Sequence, residues 1–440
     1  MPSRGLVLHR LVSTAPRPPA PAWGDPASGP HRRLALVGIA SLFHGAPQWL
    51  AACVAVRVLT PDLFGSFSVA LAALMAAVMA QGALVLSPLA VQEPTEKDPA
   101  DLVAAGRAAD RLLALVAATA TGFGLAAAGT PVAAALAGAL LVATHLGRTF
   151  ARAAAITRLA PAQALRGDGL RCLAAASGLV GVLWSGATGV PAFVAITAVL
   201  AAANLIPAAA FRRVPAPGAV ASLRLYARRM LPDARWSLAG VGGAFLMQNA
   251  HVVVLFARAD LAMLAAVAAP GLLVAPLRLL IAPLIQGLRS EFAHALARRD
   301  ATTLTRAASL AVAAVLTAAV LLAAVFLADQ SALPTRLVPA AYDRGGLEVG
   351  LWLWLGWASC AGLRTISTAA LIALGRFRAM CAINAAGAGL GLALATGLVA
   401  ADRAAWVVAA IVAAEGFALA VECGMALRAL SAVFGRGRAP

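Results

Sequence analysis

The segment from Val56 to Gln92 decides the fold: VRVLTPDLFGSFSVALAALMAAVMAQGALVLSPLAVQ. Proline cannot continue a helical hydrogen-bond ladder, so Thr60-Pro61-Asp62 predicts a break between two helices, with Asp62 capping the second. No charged residue occurs from Leu63 to Val91. A helix of that length, at about 1.5 Å per residue, crosses a hydrocarbon core of roughly 30 Å. The segment therefore predicts two consecutive transmembrane helices.

The composition of the whole chain indicates a membrane protein. Hydrophobic residues make up 62% of the chain, charged residues only 12%, and the mean hydropathy is +0.86. The net charge of +17 comes from arginines between apolar runs, which indicates contact with anionic lipid rather than with nucleic acid. The cysteines have no CxxC spacing, so we expect neither a zinc site nor a disulfide framework; they are Cys53, Cys172, Cys360, Cys381 and Cys423. We also expect no cofactor and no other metal site.

The apolar runs predict an all-α polytopic fold with about twelve transmembrane helices. We expect the spans at 34–58, 63–91, 108–129, 131–157, 169–186, 188–211, 236–257, 261–288, 303–328, 347–374, 379–400 and 404–430. A basic cytosolic linker, 212–235, divides them into two six-helix bundles, 34–211 and 236–430. Residues 1–33 and 431–440 are expected to be cytosolic tails, the first disordered because it is rich in proline.

Short matches at constant spacing indicate that the two halves are repeats. The two copies of the first match are 198 residues apart: Asp62-Leu63 and Val69-Ala70 recur as Asp260-Leu261 and Val267-Ala268. A second lies 216 residues apart, with Arg148-Thr149 and Ile156 recurring as Arg364-Thr365 and Ile372. Repeated halves are common in secondary transporters.

Arginine is distributed unequally between alternate loops, which predicts the orientation. One set of loops, with both tails, holds most of the basic residues, while the other holds only Arg57, Arg258, Arg336, Arg344 and Arg403. The positive-inside rule places the first set and both termini in the cytoplasm. In the linker, Leu223 and Tyr226 alternate with arginines. Two interpretations stay open for it, an amphipathic helix on the inner membrane surface and a solvated connection.

Three stretches resemble a known family. Arg57–Gly65 (RVLTPDLFG) is similar to the opening of polysaccharide and O-antigen flippases of the multidrug/oligosaccharidyl-lipid/polysaccharide exporter superfamily. Phe256–Asp300 resembles their seventh and eighth helices, and Leu374–Arg378 resembles the turn between their tenth and eleventh helices. The resemblance covers most of the chain after Arg33. It implies two pseudo-twofold-related bundles and a lipid-linked oligosaccharide as substrate.

The resemblance also implies a central cavity, lined by the first two helices of each half. Polar residues occur within all four of these predicted helices. The implied cavity set is His44, Gln48, Gln81, Gln248, Asn249, His251 and Arg278. Arg278 is the strongest candidate, because an arginine in mid-membrane needs water, a partner or a ligand, and a guanidinium matches phosphate oxygens. The alternative for Arg278 is a structural pair with Glu415. For His44 and His251, an interhelical hydrogen bond competes with a ligand or proton site.

Other polar and aromatic residues in the spans each allow two interpretations. Arg148 and Arg364 either snorkel to the inner interface or form an inner mouth that captures an anionic headgroup. Glu415 is a candidate for ion coupling by protonation or sodium binding, or else a structural partner. Three tryptophans of the tenth span are expected to anchor it at the outer interface: Trp352, Trp354 and Trp357.

These observations and the resemblance together predict a flippase of a bacterial inner membrane that works by alternating access, and the resemblance implies polyprenyl-diphosphate-linked oligosaccharide as its substrate. The protein would be a monomer that works beside a polysaccharide polymerase or glycosyltransferases. The runner-up is a cation-coupled antiporter of the multidrug and toxin extrusion type, which would use buried carboxylates. A membrane-embedded glycan polymerase or ligase is a third candidate. We expect no enzyme activity, because the sequence contains no nucleophile–base pair and no phosphate-binding glycine loop.

Overall fold

A computed structural model of the chain describes residues 30–86, 88, 89, 99–157, 161–210, 219–328, 339 and 344–435. The tail predictions for 1–29 and 436–440, and most of the connection between the predicted spans 303–328 and 347–374, lie outside the described residues. The helices are α1 (Pro30–Val58), α2 (Pro61–Gln81) with a π-helical turn (Gly82–Leu86), α3 (Pro99–Ala127), α4 (Val132–Thr157), α5 (Pro161–Trp184), α6 (Gly189–Ala210), α7 (Ala219–Arg229), α8 (Leu231–Gln248), α9 (Ala250–Ala257), α10 (Leu261–Ala297), α11 (Ala301–Ala328), α12 (Arg344–Ala373), α13 (Phe377–Ala400) and α14 (Val407–Gly435). The prediction of an all-α polytopic fold is confirmed.

Most of these helices are long and apolar enough to cross a membrane. Nine of the described helices meet that condition, and a tenth span is formed by α8 and α9 together, which meet at a bend of 72°. Asn249 lies at the bend in a non-helical conformation, and its side-chain amide donates to the Phe245 carbonyl at 3.0 Å. α5 and α12 fall outside the ten because each carries charged residues along its length. Several of those charged side chains are buried within the bundles, among them Asp168, Arg171 and Arg364.

The break at Thr60 is present, but, contrary to the prediction, Asp62 does not cap the helix that follows it. Pro61 begins α2 and Thr60 is the N-cap, with no side-chain capping bond; Asp62 lies in the first turn. At the repeated position, Asp260 does cap its helix, because its Oδ1 accepts from the Met263 amide at 3.0 Å. Asp62 lies too far into α2 to cap it, so its carboxylate instead interacts favourably with the positive end of the helix dipole.

The same pairs of helices are in contact in both halves. α5 packs on α1, and α13 packs on α8. α4 packs on α2, and α12 packs on α10. The last helix of each half, α6 or α14, packs on the fourth and fifth helices of that half. The chain therefore forms two six-helix bundles with a repeated arrangement.

The two bundles meet along α1, α2, α8 and α10. Near the first turns of α2 and α10, Gly65 lies so close to Leu261 that a Cβ at Gly65 would be 2.0 Å from the Leu261 carbonyl oxygen. Farther along, the Trp49 indole of α1 donates to the Leu272 carbonyl of α10 at 3.0 Å. The π-helical turn of α2 contacts α8. Through these contacts, α10 forms much of the surface by which the second bundle packs on the first.

The linker contains a short helix that is attached to the first bundle. α7 packs on α3, and the Tyr226 hydroxyl donates to the Leu84 carbonyl in the π-helical turn at 3.0 Å. Met230, directly after α7, is fully buried among Val85, Leu102 and neighbouring apolar side chains. The arginines of α7 are exposed; they are Arg224, Arg228 and Arg229. This part of the linker is therefore an amphipathic helix rather than a solvated connection.

Candidate functional site

A buried cluster of charged residues connects α1, α4 and α5 in the first bundle. The Arg148 guanidinium, 1% exposed, donates to Asp168 Oδ1 at 2.7 Å and contacts the His44 ring. Arg152 Nε donates to Asp168 Oδ2, also at 2.7 Å. Asp168 therefore receives two guanidinium groups, and these charge-assisted hydrogen bonds are the strong type.

A third arginine and a second histidine extend this cluster to α6. Arg171 Nε donates to Asn204 Oδ1 at 2.7 Å, and its Nη1 donates to the His44 carbonyl at 2.9 Å. Gln48 Nε2 lies 3.1 Å from His145 Nδ1. With three arginines against the single carboxylate of Asp168, the first cluster carries more positive than negative charge.

The second bundle holds a corresponding cluster with the opposite balance. Arg364 is 6% exposed; its Nη1 donates to Glu415 at 2.8 Å, its Nε donates to Glu422 at 3.0 Å, and its Nη2 donates to Asn384. The Thr368 hydroxyl also donates to Glu422, at 2.6 Å. One guanidinium thus faces two carboxylates, which are both fully buried.

The two clusters occupy equivalent places in the repeat. Arg364 lies 216 residues after Arg148, and Asn384 lies the same 216 residues after Asp168. Both arginines therefore bond to the equivalent position of the following helix. The matching spacing could have identified Asp168 and Asn384 from the sequence. Their interhelical bonds could not be predicted, because they depend on how each helix is rotated about its axis.

These contacts correct the predicted inner mouth. Arg148 and Arg364 were expected at the cytoplasmic surface, but both lie inside their bundles. The reason is that each guanidinium pairs with a carboxylate on a neighbouring helix, which allows it to be buried. Glu415 is correspondingly the partner of Arg364 rather than of Arg278, and Gln248 lies beside it.

Arg278 has a different environment from the other membrane arginines. It is exposed, and its guanidinium carbon lies 4.7 Å from the centroid of the Trp357 ring. No carboxylate of the described residues lies within 4.0 Å of it. Leu279, the next residue, packs on Gly45 of α1. Arg278 therefore lies where α10 meets the first bundle.

An aromatic ladder joins Arg278 to His251. Trp357 and Trp354 make an edge-to-face contact at 5.2 Å, and Trp354 makes the same type of contact with His251, also at 5.2 Å. The Trp354 indole donates to the Val267 carbonyl at 2.8 Å. The predicted outer-interface anchor is therefore wrong for Trp354 and Trp357, because both rings are buried between α10, α12 and α9. Trp352 is partly exposed.

The structure separates the members of the predicted cavity set. His44 and Gln48 belong to the first buried cluster, whereas Arg278 and His251 belong to the aromatic ladder. Gln81 is fully buried inside the first bundle, where its amide donates to Asp110 of α3 and, at 2.8 Å, to the Leu146 carbonyl of α4. Its place is thus between helices of one bundle rather than on a cavity wall. Among the described residues, no group of three His, Cys, Asp or Glu side chains is positioned to hold a metal ion.

Solved structures with this arrangement are transporters. One, described as the inward-facing conformation of a multidrug resistance MATE family transporter of the MOP superfamily, is 15% identical, with a TM-score of 0.58 over 92% of this chain and 96% of that chain. Another is described as the outward-facing conformation of such a transporter. It is 13% identical, with a TM-score of 0.57 over 92% of this chain and 97% of that chain. The chain has the MATE transporter fold.

A third structure with the MATE fold differs in its described function. It is a MOP superfamily transporter from Pyrococcus furiosus, for which reverse polarity of the binding pocket is said to suggest a different function; it is 14% identical, with a TM-score of 0.53 over 92% of this chain and 97% of that chain. No protein-family model and no curated protein sequence matches this chain. The likeness therefore establishes the fold, and the substrate has to be argued from the residues.

Proposed function

We propose that the protein is a transporter of an anionic, lipid-linked cargo. It moves polyprenyl-diphosphate-linked oligosaccharide from the inner to the outer leaflet of a bacterial inner membrane, by alternating access of its two bundles. The observation that carries this proposal is Arg278, an exposed cation at the boundary between the bundles with no described carboxylate within 4.0 Å. Because such a cation is costly to place in the membrane and bonds to no carboxylate of the described residues, it is available to a ligand.

The geometry of Arg278 suits a diphosphate. Because Trp357 lies against the guanidinium, the ring stabilises the charge by a cation–π interaction. That contact uses one face of the planar group, while its N–H donors point outward in the plane and can bond two phosphate oxygens together. The lipid tail would stay in the bilayer while the charged headgroup moves between the bundles.

The charge balance of the bundles favours an anionic cargo. In the first bundle, three arginines exceed the charge of Asp168; they are Arg148, Arg152 and Arg171. In the second bundle, Glu415 and Glu422 both bond to Arg364, so the charge of each carboxylate is already opposed by a guanidinium. A positive interior lowers the free energy of a diphosphate and raises that of a cationic drug.

A cation-coupled multidrug antiporter remains the second candidate. It is favoured by the description of the inward-facing structure as a multidrug resistance transporter. Glu415, fully buried beside Arg364, is the group that would then bind the coupling ion.

The proposal includes a cytoplasmic location for both termini and for α7. The exposed arginines of α7 would then face the anionic inner leaflet. We further propose that the protein acts as a monomer and receives its cargo from glycosyltransferases, with a polymerase acting on the product outside.

Flipping in proteoliposomes distinguishes the two candidates. The purified protein is reconstituted with a fluorescent polyprenyl-diphosphate oligosaccharide, and an external glycosidase reports how much cargo has reached the outer face. A parallel set of vesicles is loaded with a cationic dye. We expect protein-dependent exposure of the oligosaccharide and no dye movement; dye movement without oligosaccharide exposure would establish the antiporter instead.

A further inference from the structure

Asp110 of α3 is a buried carboxylate that the proposed transport path does not use. Its side chain is 3% exposed, and Gln81 of α2 donates a hydrogen bond to its Oδ1. The same Gln81 nitrogen also donates to the Leu146 carbonyl of α4 at 2.8 Å. Since a carbonyl can only accept, the Leu146 contact fixes the orientation of the Gln81 amide, and with it the donor that faces Asp110.

Asp110 differs from the other buried carboxylates of the described chain. Asp168, Glu415 and Glu422 each bond to an arginine at 2.7–3.0 Å. Asp110 has no lysine, arginine or histidine within 4.0 Å in the described residues. A buried carboxylate without a cationic partner is strongly disfavoured in its ionised form, and it becomes neutral by taking a proton.

The helices packed around Asp110 place no described cationic side chain within 4.0 Å of its carboxyl group. On α3 itself, Arg107 and Arg111 act on it electrostatically from beyond hydrogen-bonding distance. α2 carries no charged residue from Leu63 to Leu86. α4 contributes the Leu146 carbonyl and the ring of Phe150 to this part of the bundle, while its His145, Arg148 and Arg152 bond to the first buried cluster. α7 contributes Tyr226, whose hydroxyl is bonded to Leu84, and its arginines Arg224, Arg228 and Arg229 are exposed.

The Gln81–Asp110 pair lies next to a contact between the two bundles. Gln81 is the last residue of α2 before the π-helical turn Gly82–Leu86. That turn contacts α8 of the second bundle and accepts the Tyr226 hydrogen bond from α7. π-helical turns are rare and occur frequently at functional sites. Gln81 is therefore the side chain that connects Asp110 to the contact between the two bundles.

We propose that Asp110 is a proton-binding site that couples proton movement to the separation of the bundles at the π-helical turn. In the structure described here the carboxyl group is protonated and accepts from Gln81. When the turn moves away from α8, water reaches the carboxyl group, the proton leaves, and the carboxylate is hydrated. This coupling role rests on the proposed transport function, whereas the protonated state of Asp110 does not.

Infrared difference spectroscopy of the membrane-reconstituted protein tests the protonated state without any cargo. We expect the wild-type protein at neutral pH to show the C=O band of a protonated carboxyl that disappears on alkaline titration. Asp110→Asn should lack this band. Asp101→Asn, which removes an exposed carboxylate from the first turn of the same helix, should retain it. Gln81→Ala should retain the band at a higher frequency, because the carbonyl loses its hydrogen bond. A wild-type protein without the band, or an Asp110→Asn protein with it, would overturn the proposal.

Oligosaccharide flipping under an imposed pH gradient tests the coupling. We expect the gradient to accelerate flipping by the wild-type and Asp101→Asn proteins, and Asp110→Asn to lose this acceleration while flipping without a gradient persists. An Asp110→Asn protein that still responds to the gradient would overturn the coupling role. A wild-type protein that moves no oligosaccharide would instead contradict the proposed function, and the infrared result would stand separately.

Discussion

The guanidinium of Arg278 lies against the ring of Trp357, with its central carbon 4.7 Å from the ring centroid. Trp357 is itself buried and is held by edge-to-face contact with Trp354. The ring therefore fixes the position of a cation that has no carboxylate partner among the described residues. This pair is the feature on which the proposed recognition of a diphosphate depends.

Replacing Trp357 should weaken cargo recognition while Arg278 remains. Trp357→Leu removes a cation–π interaction worth about 0.5–1 kcal/mol at an exposed cation, which corresponds to about a 2- to 5-fold higher half-saturating concentration of lipid-linked oligosaccharide. Trp357→Phe should keep much of the affinity because it keeps an aromatic face. Trp352→Leu, on the same helix but partly exposed, is the matched control. Equal flipping by the Trp357→Leu and Trp352→Leu proteins would refute the role of the ring.

The stability of the protein should depend on the charge balance within the second buried cluster, which contains Arg364, Glu415 and Glu422. Arg364→Met leaves Glu415 and Glu422 buried without a cation, and breaking a buried ion pair in this way costs about 3–5 kcal/mol. Thermal denaturation in detergent should show a clear fall in Tm. The triple variant Arg364→Met, Glu415→Gln, Glu422→Gln should recover much of that loss. A wild-type Tm for the Arg364→Met protein would show that the cluster contributes little to stability.

The contact between Gly65 and Leu261 should control how closely the bundles approach. A Cβ at position 65 would lie 2.0 Å from the Leu261 carbonyl oxygen, so Gly65→Ala must move α2 away from α10. Overpacking of this kind costs about 1–3 kcal/mol. Spin labels at the exposed residues Asp62 and Arg258 should report a longer or broader distance distribution. Gly181→Ala, where nothing lies within 4 Å of the new Cβ, should leave that distribution unchanged.

Tyr226 should attach α7 to the first bundle in a pH-dependent manner. Tyr226→Phe loses a hydrogen bond worth about 0.5–1.5 kcal/mol, so trypsin should cleave faster at the exposed arginines of α7. Burial raises the pKa of Tyr226 above its ordinary value. The contact is therefore complete below the ordinary tyrosine pKa and is lost as the pH rises through the raised value.

Ultraviolet titration can isolate this group, because the chain has only two tyrosines, Tyr226 and Tyr342. In a Tyr342→Phe background, the absorbance of the remaining tyrosinate should appear at a higher pH than in a model peptide. A titration at the ordinary tyrosine pKa would contradict the buried contact.

The sequence was sufficient to predict the architecture because hydropathy acts over whole helices. The break at Thr60-Pro61 is where it was expected, and α13 begins two residues before its predicted start. Differences occur where a helix continues beyond the apolar run: α5 begins at Pro161 instead of 169. That extension places Asp168 inside the helix, where it pairs with Arg148.

The candidate site was harder to predict because pairing depends on helix rotation. Arg148 and Arg364 were identified, but their burial depends on residues of other helices, namely Asp168, Asn384 and Glu422. Trp354 and Trp357 do not follow the rule for interfacial residues, because both are buried. Trp354 instead finds an acceptor, the Val267 carbonyl, within the bundle. Asp110 gave no sequence signal, since its isolation from cations appears only once the helices are packed.

The most direct test of the central claim is oligosaccharide flipping by Arg278 variants in proteoliposomes. Arg278→Ala should abolish flipping while the protein still inserts and keeps its Tm, and in cells it should abolish surface glycan. Arg278→Lys should restore part of the rate, because a lysine keeps the charge but cannot bond two phosphate oxygens with a planar fork. Wild-type flipping by the Arg278→Ala protein would contradict the account.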